Sequence, residues 1–104
     1  MGDLADIPLE TIIGKLRDLE PALRTAGVTR LWLFGSRARG DARADSDLDV
    51  LVDISRREGR TAFAHFEAAH LMEDALGLQV QVSERTLLKP RVAERIADDL
   101  VEVF

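Results

Sequence analysis

The run Leu31-Trp32-Leu33-Phe34-Gly35-Ser36-Arg37-Ala38-Arg39-Gly40, followed closely by Asp47-Leu48-Asp49-Val50-Leu51-Val52-Asp53-Ile54, decides how this chain is read. The first four residues are apolar and stop abruptly at a glycine. That length and that stop suit a buried strand better than a helix. Gly35 has no Cβ, so its backbone can bend sharply and come close to a ligand. Ser36 adds a hydroxyl and suits the opening of a helical turn. If Ser36 to Arg39 form that turn, its unpaired N–H groups converge on one spot, and an anion is the natural occupant. Gly40 lets the chain leave.

Residues 41–46 read as a polar surface loop, and the acids that follow read as the start of a second strand. Residues two apart on a strand face the same side, so Asp47 and Asp49 share a face with Cα atoms roughly 6.5 to 7 Å apart. Leu48 and Val50 point the other way, into packing. Two carboxylates at that distance repel unless a cation lies between them. Hard oxygen ligands beside a phosphate-binding turn favour Mg²⁺. The stretch is therefore read as a strand–loop–strand unit that holds metal and a nucleoside triphosphate.

Gly35-Ser36, ten intervening residues and Asp47-Leu48-Asp49 together resemble the GS-x10-DxD signature of the polymerase-beta-like nucleotidyltransferase superfamily. The short chain, with LFGSRARG and SDLDVLV flanking the signature, is similar to the minimal nucleotidyltransferases of the antitoxin type. The resemblance spans most of the chain, and the joint motif is far more specific than either half alone. It implies an α/β fold, a small mixed sheet with helices packed on it and the site on the open sheet face. It also implies transfer of a nucleoside monophosphate, AMP from ATP, to a hydroxyl, with release of pyrophosphate. The implied acceptor is a tyrosine of a helical HEPN-domain toxin, held in a hetero-oligomer. Asp47 and Asp49 are then the catalytic, Mg²⁺-binding pair. Gly35, Ser36 and Arg37 are taken as nucleotide-binding.

The superfamily carries a third acid on the next strand. The corresponding run here is Leu78-Gln79-Val80-Gln81-Val82, which puts Gln81 at that place. Glutamine offers a neutral oxygen and an N–H donor but cannot act as a carboxylate base. Three outcomes stay open: slow catalysis with Glu84 or Asp45 standing in, binding of nucleotide and metal without turnover, or neutralisation of the partner by contact alone. Asp53 is a poor substitute, two positions further along the strand.

Composition sets outer limits. At 104 residues the chain is read as one domain, residues 1–104, large enough for one core. Its 46% apolar content argues against disorder. With 14 basic and 19 acidic residues the net charge is −5, which disfavours a general nucleic-acid surface. The lack of cysteine excludes disulfides, thiol catalysis and cysteine–zinc sites, and it fits the cytoplasm. No apolar run approaches the roughly 20 residues of a membrane span. The acidic N-terminus lacks a signal-peptide pattern. A chain this short has little room for a large acceptor-binding domain, which independently favours a partner protein.

Along the rest of the chain, residues 8–26 read as helix on an Ile12, Ile13, Leu16, Leu19, Leu23 stripe. Pro8 suits its start, with Asp6 as a candidate cap; Pro21 predicts a kink or restart, and Gly27 the end. Arg56, Arg57 and Arg60 read as a solvated loop or, alternatively, as a contact for a nucleic acid or an acidic partner. Residues 61–76 read as a second helix, capped by Thr61, with Phe63, Phe66, Leu71 and Leu76 as its apolar contacts. Leu78 to Ser83 alternates and reads as strand. A third helix is expected over 90–100, with Ala93, Ile96, Ala97 and Leu100 on one face, and the tail reads as a fourth strand or the end of that helix. His65 and His70, five apart, do not share a ligand face. Trp32 is read as core rather than as a stacking platform, and Arg37 and Arg39 as phosphate ligands or as solubilising groups.

Overall fold

The computed structural model describes residues 7–43, 45–55 and 61–104, with backbone alone at 61 and 62. The elements run α1 (Leu9–Asp18), α2 (Glu20–Ala26), β1 (Val28–Phe34), α3 (Gly35–Arg39), β2 (Leu48–Ile54), α4 (Thr61–Leu76), β3 (Val80–Glu84), α5 (Pro90–Ile96) and β4 (Val101–Glu102). Short 3₁₀ turns at Arg85–Leu87 and Ala97–Asp99 flank α5. The four strands form one sheet in the order β3-β2-β1-β4. β1 pairs antiparallel with both β2 and β4, whereas β2 and β3 are parallel. A mixed α/β sheet with helices packed on it is what the sequence leads one to expect.

The alternation of side chains divides the sheet into two unlike faces. Leu31 and Leu33 stand beside Val52 and Val50, and Val80 and Val82 beside Leu48 and Val50. These residues face α1, α2 and α4, and with Ile12, Leu16, Leu23, Ala68 and Met72 they make the main core. The opposite face carries Trp32, Phe34, Asp49, Leu51, Asp53 and Gln81. The chain from β3 to β4 crosses part of this second face. Leu51 is only 1% exposed and lines a cavity of about 220 Å³ together with Arg85, Leu88, Ala93, Ile96 and Leu100.

Several sequence expectations are refined. The first helical stretch breaks into two, because Pro21 cannot donate to the preceding turn and instead sits in the first turn of α2. Pro8 is the extended residue before α1 rather than its first helical position. Gly27 ends α2 with φ +115°, a left-handed conformation that favours glycine. The Asp6 cap, the Thr61 side chain and the Arg56, Arg57, Arg60 cluster lie outside the described residues.

Two apolar assignments are corrected. Phe63 and Phe66 are each 77% exposed, so they do not hold α4 to the sheet. The helix buries Ala64, Ala68, Met72 and Leu76 instead, four residues apart along one stripe. The two alanines in this stripe let the helix approach closely, and the two rings fall on the far side. Within the expected third helix only Ile96 is buried; Ala93 and Ala97 are exposed, and α5 gives way to a 3₁₀ turn at Ala97. The tail is a strand, Val101–Glu102.

Core and surface should answer mutation differently. Leu16→Ala, at a fully buried site under the sheet, should lower unfolding stability by about 2–5 kcal/mol. Phe66→Ser should change it by about 0.5 kcal/mol or less. Urea denaturation followed by circular dichroism checks both.

Candidate active site

β1 delivers the chain into a bend at Gly35, and β2 brings Asp49 alongside. Phe34 and Asp49 are register partners across the antiparallel ladder. Gly35 has φ +79°, and a Cβ built there would overlap Asp49 Oδ2 while standing 3.1 Å from Cγ and 3.2 Å from Cβ of the same residue. The glycine therefore serves twice, supplying the left-handed backbone and the space for the carboxylate. The helical turn expected from Ser36 starts one residue earlier, at Gly35, after extended Phe34. Ser36 makes no side-chain cap. The first-turn N–H groups of α3 have no intrahelical acceptors by position.

At the other end of α3, Gly40 is left-handed and the Asp41 N–H donates to Ser36 O at 3.0 Å. The loop that follows is tied by Arg37. This residue is 6% exposed, and its guanidinium donates to Ser46 O from Nε (3.0 Å) and Nη2 (2.8 Å), and to Arg43 O from Nη2 (3.4 Å). Arg43 and Ser46 also bond to each other through Arg43 N to Ser46 Oγ at 2.9 Å and Ser46 N to Arg43 O at 3.0 Å. The Arg37 side chain is thus engaged with the loop that leads into Asp47. What it brings to the turn itself is its backbone N–H.

Asp47 precedes the first residue of β2, so the strand begins one position later than the sequence pattern implies. It still lies on the side of Asp49, because Gln81 reaches it: Nε2 donates to Asp47 Oδ2 at 3.2 Å. Gln81 is the register partner of Asp49 on β3. The two acids and the amide therefore meet at one end of the second sheet face. Of the stand-in acids, Glu84 is buried and pairs with Val52, which puts it on the opposite face. Asp45 is exposed on the loop. Asp53 is engaged by Arg85, Oδ1 to Nε at 2.8 Å and Oδ2 to Nη2 at 2.9 Å.

Electrostatics single out Asp49. Burial first, and the charge of Asp47 second, push its carboxyl above the ordinary value of 3.8; Arg39 partly offsets them. Arg39 itself bonds Asp99 at 2.9 Å and Asp41 at 3.3 Å, so the turn before β4 is pinned to α3. Nothing in the sequence pointed to Asp99, whose role follows from a contact sixty residues away in the chain. Trp32 is not core. It stands partly exposed on the second face with Arg30 and Arg85 guanidiniums 5.2 and 5.6 Å from its ring.

The donor set is hard oxygen: two carboxylates, one half-buried, with the neutral Gln81 amide bonded to Asp47. That set fits a divalent cation of the Mg²⁺ type whose shell is completed by water and phosphate oxygens. Among the described residues no group of three or more His, Cys, Asp or Glu side chains is placed to hold a metal, so protein carboxylates alone do not complete the shell.

Two outcomes follow from this geometry. Gly35→Ala should cost about 2 kcal/mol or more of stability, since it adds left-handed strain to the overlap with Asp49. Asp49→Asn should raise the melting temperature of the metal-free protein at neutral pH. A carboxyl whose folded pKa is raised costs stability above that pKa, and the cost fades as pH falls toward the unfolded value. The advantage of Asp49→Asn should therefore shrink on acidification, which thermal melts across pH in chelator will read.

Comparison with known proteins agrees with the geometry. Residues 9–103 match the family described as nucleotidyltransferase domain. The protein adenylyltransferase MntA of Thermococcus cleftensis is 34% identical over 101 residues, covering 96% of this chain and all of that protein. A solved structure assigned as a minimal nucleotidyltransferase superposes with a TM-score of 0.77 at 35% identity, covering 91% of this chain and 95% of its own. The MNT antitoxin complexed with the tri-AMPylated HEPN toxin of Shewanella oneidensis shares the fold, with a TM-score of 0.63 at 17% identity and coverage of 92% and 71%. Motif, sheet register and these likenesses converge, and the chain belongs to the nucleotidyltransferase domain family.

Proposed function

We propose that this protein transfers AMP from ATP to a hydroxyl of a partner protein and acts as the antitoxin to a HEPN-type toxin, with a tyrosine as acceptor. The observation that carries the reading is the fit of Gly35 against the Asp49 carboxylate, because it joins the phosphate-cradling turn and the acid pair in one place. The names of the relatives support it: one is called a protein adenylyltransferase, and a structural neighbour is complexed with an AMPylated HEPN toxin.

In this reading Gly35 and Ser36, with the backbone N–H of Arg37, cradle the triphosphate. Asp47 and Asp49 hold Mg²⁺, which when bound neutralises phosphate charge. The acceptor oxygen attacks the α-phosphorus, the bond from that phosphorus to the bridging oxygen breaks, pyrophosphate leaves and the hydroxyl proton passes to water. The chain's share is to position these groups and to hold charge in place, which is most of what phosphoryl-type transfer requires. Arg37 has an indirect part, since its hold on Ser46 O orients the approach to Asp47.

One observation favours a second reading. Gln81 supplies no negative charge where the superfamily resemblance implies an acid, which suits an antitoxin that neutralises its partner by contact alone. Incubation with labelled ATP, Mg²⁺ and a HEPN-domain toxin as the partner separates the two. Labelling of the toxin that falls at least about 100-fold in Asp47→Ala is the expected result. Inhibition of the toxin that survives unchanged in Asp47→Ala, without label, would establish masking instead.

A further inference from the structure

Gln81 touches the acid pair in a way that bears on how many ions the site takes. A carboxylate can only accept hydrogen bonds, so the amide must present its nitrogen to Asp47, and its oxygen faces away. The amide thus holds Asp47 without adding charge. Asp47 and Asp49 together carry two negative charges, which match one divalent cation. A second cation needs further anionic ligands, and among the described residues no third carboxylate is grouped with Asp47 and Asp49. Asp53 has both oxygens on Arg85 and lies about 13 Å along the strand from Asp49, at about 3.3 Å per residue. Asp41 and Asp99 are bonded to Arg39. Glu84 projects from the other face of β3.

We propose that Gln81 makes this a one-cation site, with its amide acting as a positioning residue for Asp47 and leaving the acceptor side without a divalent ion. The inference rests on the nucleotide-binding reading above and adds to it the stoichiometry of the site. It follows that the triphosphate side is served by Asp47 and Asp49, while the acceptor hydroxyl must be oriented by the partner protein that carries it. Gln81 is exposed on β3, so acidic substitution there meets no packing barrier.

Native mass spectrometry of the full chain with Mn²⁺ and the non-hydrolysable analogue AMP-PNP counts ions directly. One Mn²⁺ per nucleotide-bound chain is expected for the wild type, and two for Gln81→Asp or for Gln81→Glu, which preserves the side-chain shape. Gln81→Ala should keep one ion, held about tenfold more weakly by calorimetry because Asp47 loses its orienting partner. Two ions on the wild type would overturn the proposal and leave the nucleotide reading standing, as would one ion on both acidic variants. Absence of bound nucleotide from every form would remove the nucleotide reading itself, and this inference with it.

Discussion

The contact between Gly35 and Asp49 is the constraint on which the rest depends. A carboxylate can approach a backbone this closely only where no Cβ intervenes, and that backbone must also turn left-handed. Both demands fall on one residue. The antiparallel pairing of β1 with β2 then fixes which acid meets the bend, because Phe34 and Asp49 are partners. A shift of one residue in that register would send Asp49 into the core and Val50 or Leu48 to the site. The apolar packing of Leu31, Leu33, Val50 and Val52 is therefore what holds the chemistry in place.

The division of the sheet into a packed face and a working face has its own consequences. Helices α1, α2 and α4 cover one side, and the segment from Arg85 to Leu100 covers part of the other. What stays accessible is the end where β1 finishes and β2 begins. There the protein keeps a half-buried carboxyl with a raised pKa beside a second acid, an arrangement that opposes folding slightly and favours a bound cation. Local destabilisation of this kind is common where charge is arranged for binding rather than for stability.

Buried polar groups are handled conservatively elsewhere. Arg37 is a guanidinium inside the protein, a costly placement unless its donors are used, and carbonyls of the loop supply acceptors. The same bonds shape the approach to Asp47. Arg39, a little over half a turn further on by helix geometry, faces out and ties α3 to Asp99. Two arginines of one short motif thus do different work, and only their positions relative to the rest of the chain distinguish them.

The strand–bend–strand unit, the Gly35-Ser36 and Asp47-Leu48-Asp49 motif and the mixed α/β class were legible in the residues alone, whereas the place of Gln81 beside the acids came from the family resemblance and its contact with Asp47 from the tertiary structure. The legible features are local: apolar runs, glycine stops and a two-residue period are written in neighbouring residues. Tertiary structure decided the rest. Whether Phe63 or Ala64 faces the core depends on how closely α4 can approach its neighbours, and hydrophobicity alone favours the wrong one. Trp32 stands on the working face because β1 alternates through Leu31 and Leu33 into the core, and the arginines that flank it come from separate parts of the chain. The side chain of Arg37 and the partner of Arg39 likewise answer to contacts distant in sequence, which no local pattern encodes.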